Sequence, residues 1–338
     1  MSSHSHGAAA QWKSRIEGGG PIRLANLIMK TVYALVTAAA VTAFWSTPTF
    51  ANLLIYEPFD YSTGSAIVGQ SDPYAPVGGP SWAAAGTAGT TVHQVASGSL
   101  TGPSGFPASV GNSGSLMNAD SNEYARMSLG SVYGTSATLF YSALIDVPAT
   151  NGLTTANSNV NANNDGIIAF NNNSGAGTKP NTWAGELVVH LGASANTYNL
   201  GIRGSTTAAG TTYFSSDLTP GTTYLVVVQF TEGATAGTGG LSSMWINPSS
   251  ATFGAASAPA ADGSTAGTYS TTAANDHTSS LIIGAGIAAG ADPNQTLVDE
   301  IRVGTTWADV TSVPEPSTLA LAGFGLLGLI SWHRARRR

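Results

Sequence analysis

From Asn52 to about Thr311 apolar residues come in short runs or in alternation with polar ones, divided by clusters of Gly, Asn, Ser and Pro. Alternation with period two puts successive side chains on opposite faces of a strand, and turn formers bound each run. Strands are predicted over LLIY (53–56), TTVHQV (90–95), YARMSL (124–129), ATLFYSALIDV (137–147), GIIAF (166–170) and GELVVHL (185–191). Further strands are predicted over TYNLGIR (197–203), TTYLVVVQF (222–230), LSSMWIN (241–247), SLIIGAG (280–286) and LVDEIRVG (297–304). TTYLVVVQF is apolar at consecutive positions, as expected of a central strand between packed layers. No stretch outside the two terminal segments sustains a helical period. Strands without interposed helices predict an all-β antiparallel sandwich. Long loops are expected at 158–166, 231–240 and 249–280. No internal repeat and no linker appears, so 52–312 reads as one domain.

Composition changes this picture in two ways. The chain of 338 residues has 9% charged and 42% hydrophobic residues, enough apolar material for a core, and no cysteine. Disulfides, thiolate metal sites and cysteine nucleophiles are therefore excluded. The cations sit at the ends: between Asn52 and Pro316 only Arg126, Lys179, Arg203 and Arg302 stand against seventeen acidic residues, a balance of −13. Such a surface repels phosphate backbones, which argues against a nucleic-acid partner and suits neutral sugars or divalent cations.

The ends follow other rules. Residues 29–51, MKTVYALVTAAAVTAFWSTPTFA, have a basic start at Lys30, an apolar stretch and a small-x-small site at Thr49-Phe50-Ala51. That is a signal peptide, with cleavage between Ala51 and Asn52 and export by the Sec route. Residues 1–28 read as an upstream extension without folded structure. At the other end, Ser317–Trp332 is about sixteen mostly apolar residues, near the shortest helix that spans a bilayer, and Arg334, Arg336, Arg337 and Arg338 follow. The positive-inside rule keeps those arginines in the cytoplasm and the body outside. Val313-Pro314-Glu315-Pro316 precedes the span, and its two prolines stop the helix and hold an extended segment at the membrane face.

This order of motif, short apolar helix and arginine cluster over 313–338 resembles the PEP-CTERM sorting signal of Gram-negative bacteria. The resemblance implies recognition of Val313, Pro314, Glu315 and Pro316 by an exosortase-type membrane protease. It also implies transient retention in the inner membrane by the four arginines, removal of the tail, and release to the cell surface, exopolysaccharide or biofilm matrix. In the body, LLIYEPFDYSTGS, YLVVVQF with LSSMWINP, and LVDEIRVGTTWADV resemble concanavalin A-like, laminin-G-like jelly rolls. That resemblance implies that the first and last segments are neighbouring strands of one sheet. The expected whole is a jelly-roll sandwich with an N-terminal signal helix and a single C-terminal transmembrane helix.

Catalytic patterns are sparse. Glycan hydrolysis needs two facing carboxylates, and a jelly-roll glucanase carries them as E-x-D-x-x-E on one strand. Here Glu57 and Asp60 are separated by Pro58, and Asp299 and Glu300 are adjacent, so on a regular strand they point to opposite faces, one paired and one in solvent. GNSGS (111–115) lacks the spacing and following helix of a nucleophile elbow. His93, His190 and His277 lack short metal spacing, and His190 reads as a satisfied structural histidine. Gly284-Ala285-Gly286 is not a dinucleotide loop. Calcium is a ligand that the jelly-roll resemblance implies, and Asn163, Asn164, Asp165, Asp292 and Asn294 offer hard oxygens for it, although the same residues are ordinary turn formers. Trp82, Trp183 and Tyr213 are candidate stacking faces for a glycan, against the commoner fate of packing. Trp245 and Trp307 are assigned to packing. The expected role is non-catalytic, binding extracellular polysaccharide or building the matrix. The alternatives are a glycan-active enzyme with an unrecognised carboxylate pair, or a surface module that binds another protein.

Overall fold

The computed structural model describes residues 53–72, 74, 80–85, 93–117, 124–151, 153, 163–164, 166–172, 183–204, 210–235, 239–267, 277–284, 286–287 and 295–312. All belong to one compact unit, Phe50–Val313. The signal segment with Ala51 and Asn52, the tail from Val313 to Arg338, and Asp165, Asp292 and Asn294 lie outside the described residues.

In chain order the strands are β1 (Ile55–Glu57), β2 (Ala83–Ala85), β3 (Gln94–Ala96), β4 (Ser113–Met117), β5 (Tyr124–Tyr133) and β6 (Thr138–Asp146). Next come β7 (Asn163–Asn164), β8 (Gly166–Asn171), β9 (Ala184–Leu191), β10 (Tyr198–Arg203), β11 (Thr211–Tyr213) and β12 (Tyr224–Thr231). The last are β13 (Gly240–Ile246), β14 (Gly263–Gly267), β15 (Thr278–Ile283), β16 (Gly286–Ile287) and β17 (Gln295–Gly304), followed by helix α1 (Trp307–Thr311). They form the expected antiparallel sandwich. One sheet has the order β14-β13-β12-β6-β17-β4-β3, with β1 also paired to β17; the other is β11-β10-β9-β8-β15-β5-β2. Strand β1 pairs antiparallel with β17, Ile55 opposite Val303, so first and last segments are neighbours as the resemblance implied. Strand β12 lies inside its sheet with Leu225 to Val228 fully buried.

Two cores result. Between the sheets, Tyr141, Val226, Phe230, Met244 and Ile301 meet Met127, Phe170, Leu187, Leu200 and Leu281. On the far side of the eight-stranded sheet a second core gathers Leu100, Phe106, Phe140, Leu144, Trp245, Trp307 and Val310. Trp245 and Trp307 meet edge to face at 5.1 Å. The chain from Ser249 to Asp262 and helix α1 are tied over that face: Trp307 Nε1 donates to Thr252 O (2.8 Å) and Trp245 Nε1 to Ala260 O (3.0 Å). That face is covered.

Three expectations change. The loop expected over 249–280 contains a 3-10 helix at Ser250–Thr252 and strand β14. Helix α1 arises where none was expected, because Thr306 and Asp309 form a capping box at its start. Asp299 and Glu300 do not alternate. The ladder to β6 shifts between Asp299 and Arg302, and Glu300 has φ 51°. Such a bulge places two residues opposite one, so Val298 and Ile301 both reach the inter-sheet core while both acids turn away from it. Neither meets solvent: both are 0% exposed.

Candidate functional site

The outer face of the seven-stranded sheet carries a row of polar side chains. Its strands alternate Met127, Phe170, Leu187, Leu200 and Leu281 inward with Arg126, Asn171, Glu186, Asn199 and Ser280 outward. All five outward residues are under 9% exposed, so they are enclosed polar groups rather than a solvated fringe.

The position of Glu186 depends on a second bulge. Gly185 has φ +54°, and Ala184 and Leu187 both enter the core, leaving Glu186 outward. The backbone oxygens loosened there are satisfied across the sandwich by Tyr141, whose hydroxyl donates to Gly185 O (2.8 Å) and Ile168 O (3.3 Å). On β10, Arg203 stands opposite Glu186 and reaches Oε2 through Nε (2.7 Å) and Nη2 (2.5 Å). Beside them Tyr124 meets Trp183 edge to face at 5.0 Å, and burial followed by the Glu186 charge pushes the Tyr124 hydroxyl up to about 12. Arg126 Nη2 donates to Asn171 Oδ1 (3.3 Å).

Toward the β11 edge, His190 and Asn199 are directly opposed. His190 Nδ1 lies 2.5 Å from Leu191 O; a carbonyl only accepts, so Nδ1 carries the proton and Nε2 its lone pair. Burial lowers the His190 pKa, which keeps the ring neutral. Tyr213 meets His190 edge to face at 4.0 Å. Nearby, half-buried Asp217 accepts from Ala193 N, Ser194 N and Thr197 Oγ1, and these bonds lower its carboxyl to about 2.

Of the three aromatic residues expected to offer stacking faces, Trp183 and Tyr213 are half-buried beside this sheet. Trp82 is not available: it is 1% exposed and donates Nε1 to Glu57 Oε2 at 2.7 Å. The expectation fails there because a buried carboxylate claims the indole. His190 also differs from expectation, since Nε2 is buried and has no partner. Of the five possible calcium ligands, Asn163 and Asn164 form β7 and the other three lie outside the described residues. Among the described residues no three His, Cys, Asp or Glu side chains gather into a metal-binding group.

The acids considered for catalysis serve the framework. Glu57 accepts from Phe59 N (2.6 Å), Tyr61 Oη (2.7 Å) and Trp82. Glu300 accepts from Tyr56 Oη, Val110 N and Arg302 Nη2 (2.9 Å), and Asp299 accepts from Leu100 N (2.8 Å). These bonds fasten β1 and the segment 99–110 to β17. Asp60 alone of the four is exposed.

Residues 312–338 match the PEP-CTERM protein-sorting motif. The motif implies export, anchoring of the C-terminus in a membrane before processing, and an exosortase-type protease as processing partner. Among the described residues no helix is long and apolar enough to cross a membrane. No curated protein matches the chain. Among solved structures it is similar to alginate lyase Aly36B, at 12% identity over 74% of this chain and 95% of that one, with a TM-score of 0.43. It is also similar to an endo-β-1,4-glucuronan lyase from the fungus Trichoderma reesei (14%, 78% and 99%, TM-score 0.36). A third is a glycosyl hydrolase family 16 protein from Mycobacterium smegmatis (11%, 75% and 100%, TM-score 0.37).

Proposed function

We propose that this exported chain is a non-catalytic polysaccharide-binding protein of the extracellular matrix, and that it binds through the outer face of the seven-stranded sheet. One observation carries the reading. This face carries a row of ordered, largely enclosed polar side chains from adjacent strands, flanked by half-buried Trp183 and Tyr213, whereas the other sheet has an apolar core on its outer face. Sugars are held by such mixtures of planar rings and fixed polar groups. The described strands of this face contribute one carboxylate, Glu186, and Arg203 holds it, which leaves the paired acid and base of a glycosidase unsupplied there.

The test is retention of the processed protein on the source organism's extracellular polysaccharide, with calcium and with chelator. Retention in both conditions is expected from the face described. Loss with chelator moves the site to the Asn163, Asp165, Asp292 and Asn294 loops. Release of shortened glycan makes the chain an enzyme, and no retention at all overturns polysaccharide binding.

A further inference from the structure

Two acceptors on this face lack donors. Asn199 is 7% exposed, and its Nδ2 donates to Phe214 O (3.0 Å) and Ser216 O (3.2 Å), which fixes the amide and leaves Oδ1 as the free end. That Oδ1 is buried without a partner, and so is Nε2 of His190 on the facing strand. Nε2 bears the lone pair, because Nδ1 spends its proton on Leu191 O. A protein rarely buries an acceptor without a donor, and two on opposed residues point to a group supplied from outside.

The neighbouring backbone is shaped for a flat ring. Gly201 faces Tyr213 across β10 and β11, and a methyl group there would come within 2.5 Å of the Tyr213 ring. The ring therefore lies against bare main chain and against His190 at once. It is carried by a three-residue edge strand, so it can turn outward without breaking the sheet interior.

We infer that His190, Asn199 and Tyr213 form a sugar subsite: a pyranose ring packs against Tyr213, and two of its hydroxyls donate to His190 Nε2 and Asn199 Oδ1. The inference rests on the polysaccharide-binding reading and narrows it. Two acceptors call for O–H donors, so a pyranose with free hydroxyls fits and one methylated at those oxygens does not.

The experiment is a titration of the processed protein, ¹⁵N-labelled in its histidines, with a β-linked glucohexaose, a hexauronate and a permethylated glucohexaose. The expected result is a saturable shift of the His190 Nε2 resonance with one or both free sugars, none with the methylated one, and no movement of His93 or His277. His190→Phe keeps a ring beside Tyr213 and removes both ring nitrogens; it is expected to weaken sugar binding about tenfold, the loss of one hydrogen bond to the ligand. Sugar binding with His190 Nε2 unmoved overturns the subsite and leaves polysaccharide binding standing. No binding of these sugars or of the extracellular polysaccharide overturns both. Binding of these sugars with unchanged affinity in His190→Phe also overturns the subsite.

Discussion

Trp82 donates its indole Nε1–H to Glu57 Oε2 over 2.7 Å, and neither residue is more than 1% exposed. The carboxylate at the end of β1 thereby collects an indole, a phenol from Tyr61 and the Phe59 amide, so the entry of the chain into the sandwich is built around one acid.

That acid makes stability depend on pH. Burial raises the Glu57 carboxyl from 4.5 to about 7 against the opposing effect of its hydrogen bonds, and burial likewise raises Asp299 from 3.8 to about 8. Between the ordinary and raised values the folded chain holds protons that the unfolded chain releases. The contribution is full below about pH 4 and is lost as pH climbs through 7 to 8, so the melting temperature is expected to fall over that range. Glu57 accounts for roughly 3 kcal/mol of the change. Calorimetry from pH 4 to 9 checks this, and Glu57→Gln is expected to flatten the slope; a melting temperature that rises across the window overturns the assignment.

On the candidate face, Arg203 and Glu186 form a buried pair whose two halves are not interchangeable. Arg203→Ala leaves a carboxylate enclosed without its cation and is expected to cost about 3–5 kcal/mol. Arg203→Met combined with Glu186→Leu removes both charges and is expected to regain most of that loss. Urea titration of both variants checks the difference.

Much of the sandwich was legible because its long strands alternate strongly. All eleven predicted runs contain a strand, with ends shifted by a few residues. The missed strands follow a physical pattern. Ser113–Met117 and Gly263–Gly267 read SGSLM and GSTAG, small and polar, and they pair because stronger neighbours offer an edge. The bulge at Glu300 carries no glycine to announce its positive φ, so strict alternation misplaced the acid next to Asp299. The comparable bulge at Gly185 does carry that signal. The capping box Thr306-Trp307-Ala308-Asp309 was readable, but the helix it starts spans only five residues.

The candidate site was legible in fragments. His190 and Tyr213 stood out separately by residue type, whereas Asn199 did not. What unites them is the register of β9, β10 and β11, set by core residues on the opposite face of the same strands. Trp82 looked like a surface aromatic in a Gly- and Pro-rich stretch because nothing local reveals Glu57, twenty-five residues earlier, as its acceptor.

The second core should be separable from the seven-stranded sheet. Trp307 is 1% exposed, holds Trp245 edge to face and bonds Thr252 O. Trp307→Ala is expected to cost about 3–5 kcal/mol through the cavity it leaves. Amide exchange should accelerate over 249–262 while the amides of β8, β9 and β10 keep their protection, measured under conditions where the variant stays folded. Equal acceleration in both sheets would mean that the second core is part of one cooperative unit with the first.

The last prediction concerns the tail. Pro314 and Pro316 flank Glu315 within the matched sorting motif, so these three residues are the candidates for recognition. If the match over 312–338 directs processing, the mature protein has lost Arg334, Arg336, Arg337 and Arg338, and intact-mass spectrometry of the native product will show it. Glu315→Ala with both prolines kept tests recognition of the charge, and Pro316→Ala tests the extended backbone. Either is expected to leave the full-length tail on chains that remain in the membrane fraction. Replacing the four arginines by Ser is expected to act differently: the tail loses the charges that favour the cytoplasmic side, so chains leave the membrane fraction with the tail uncut. Released wild-type protein that still carries the arginines would overturn the processing step while leaving the sandwich and its polar face as described.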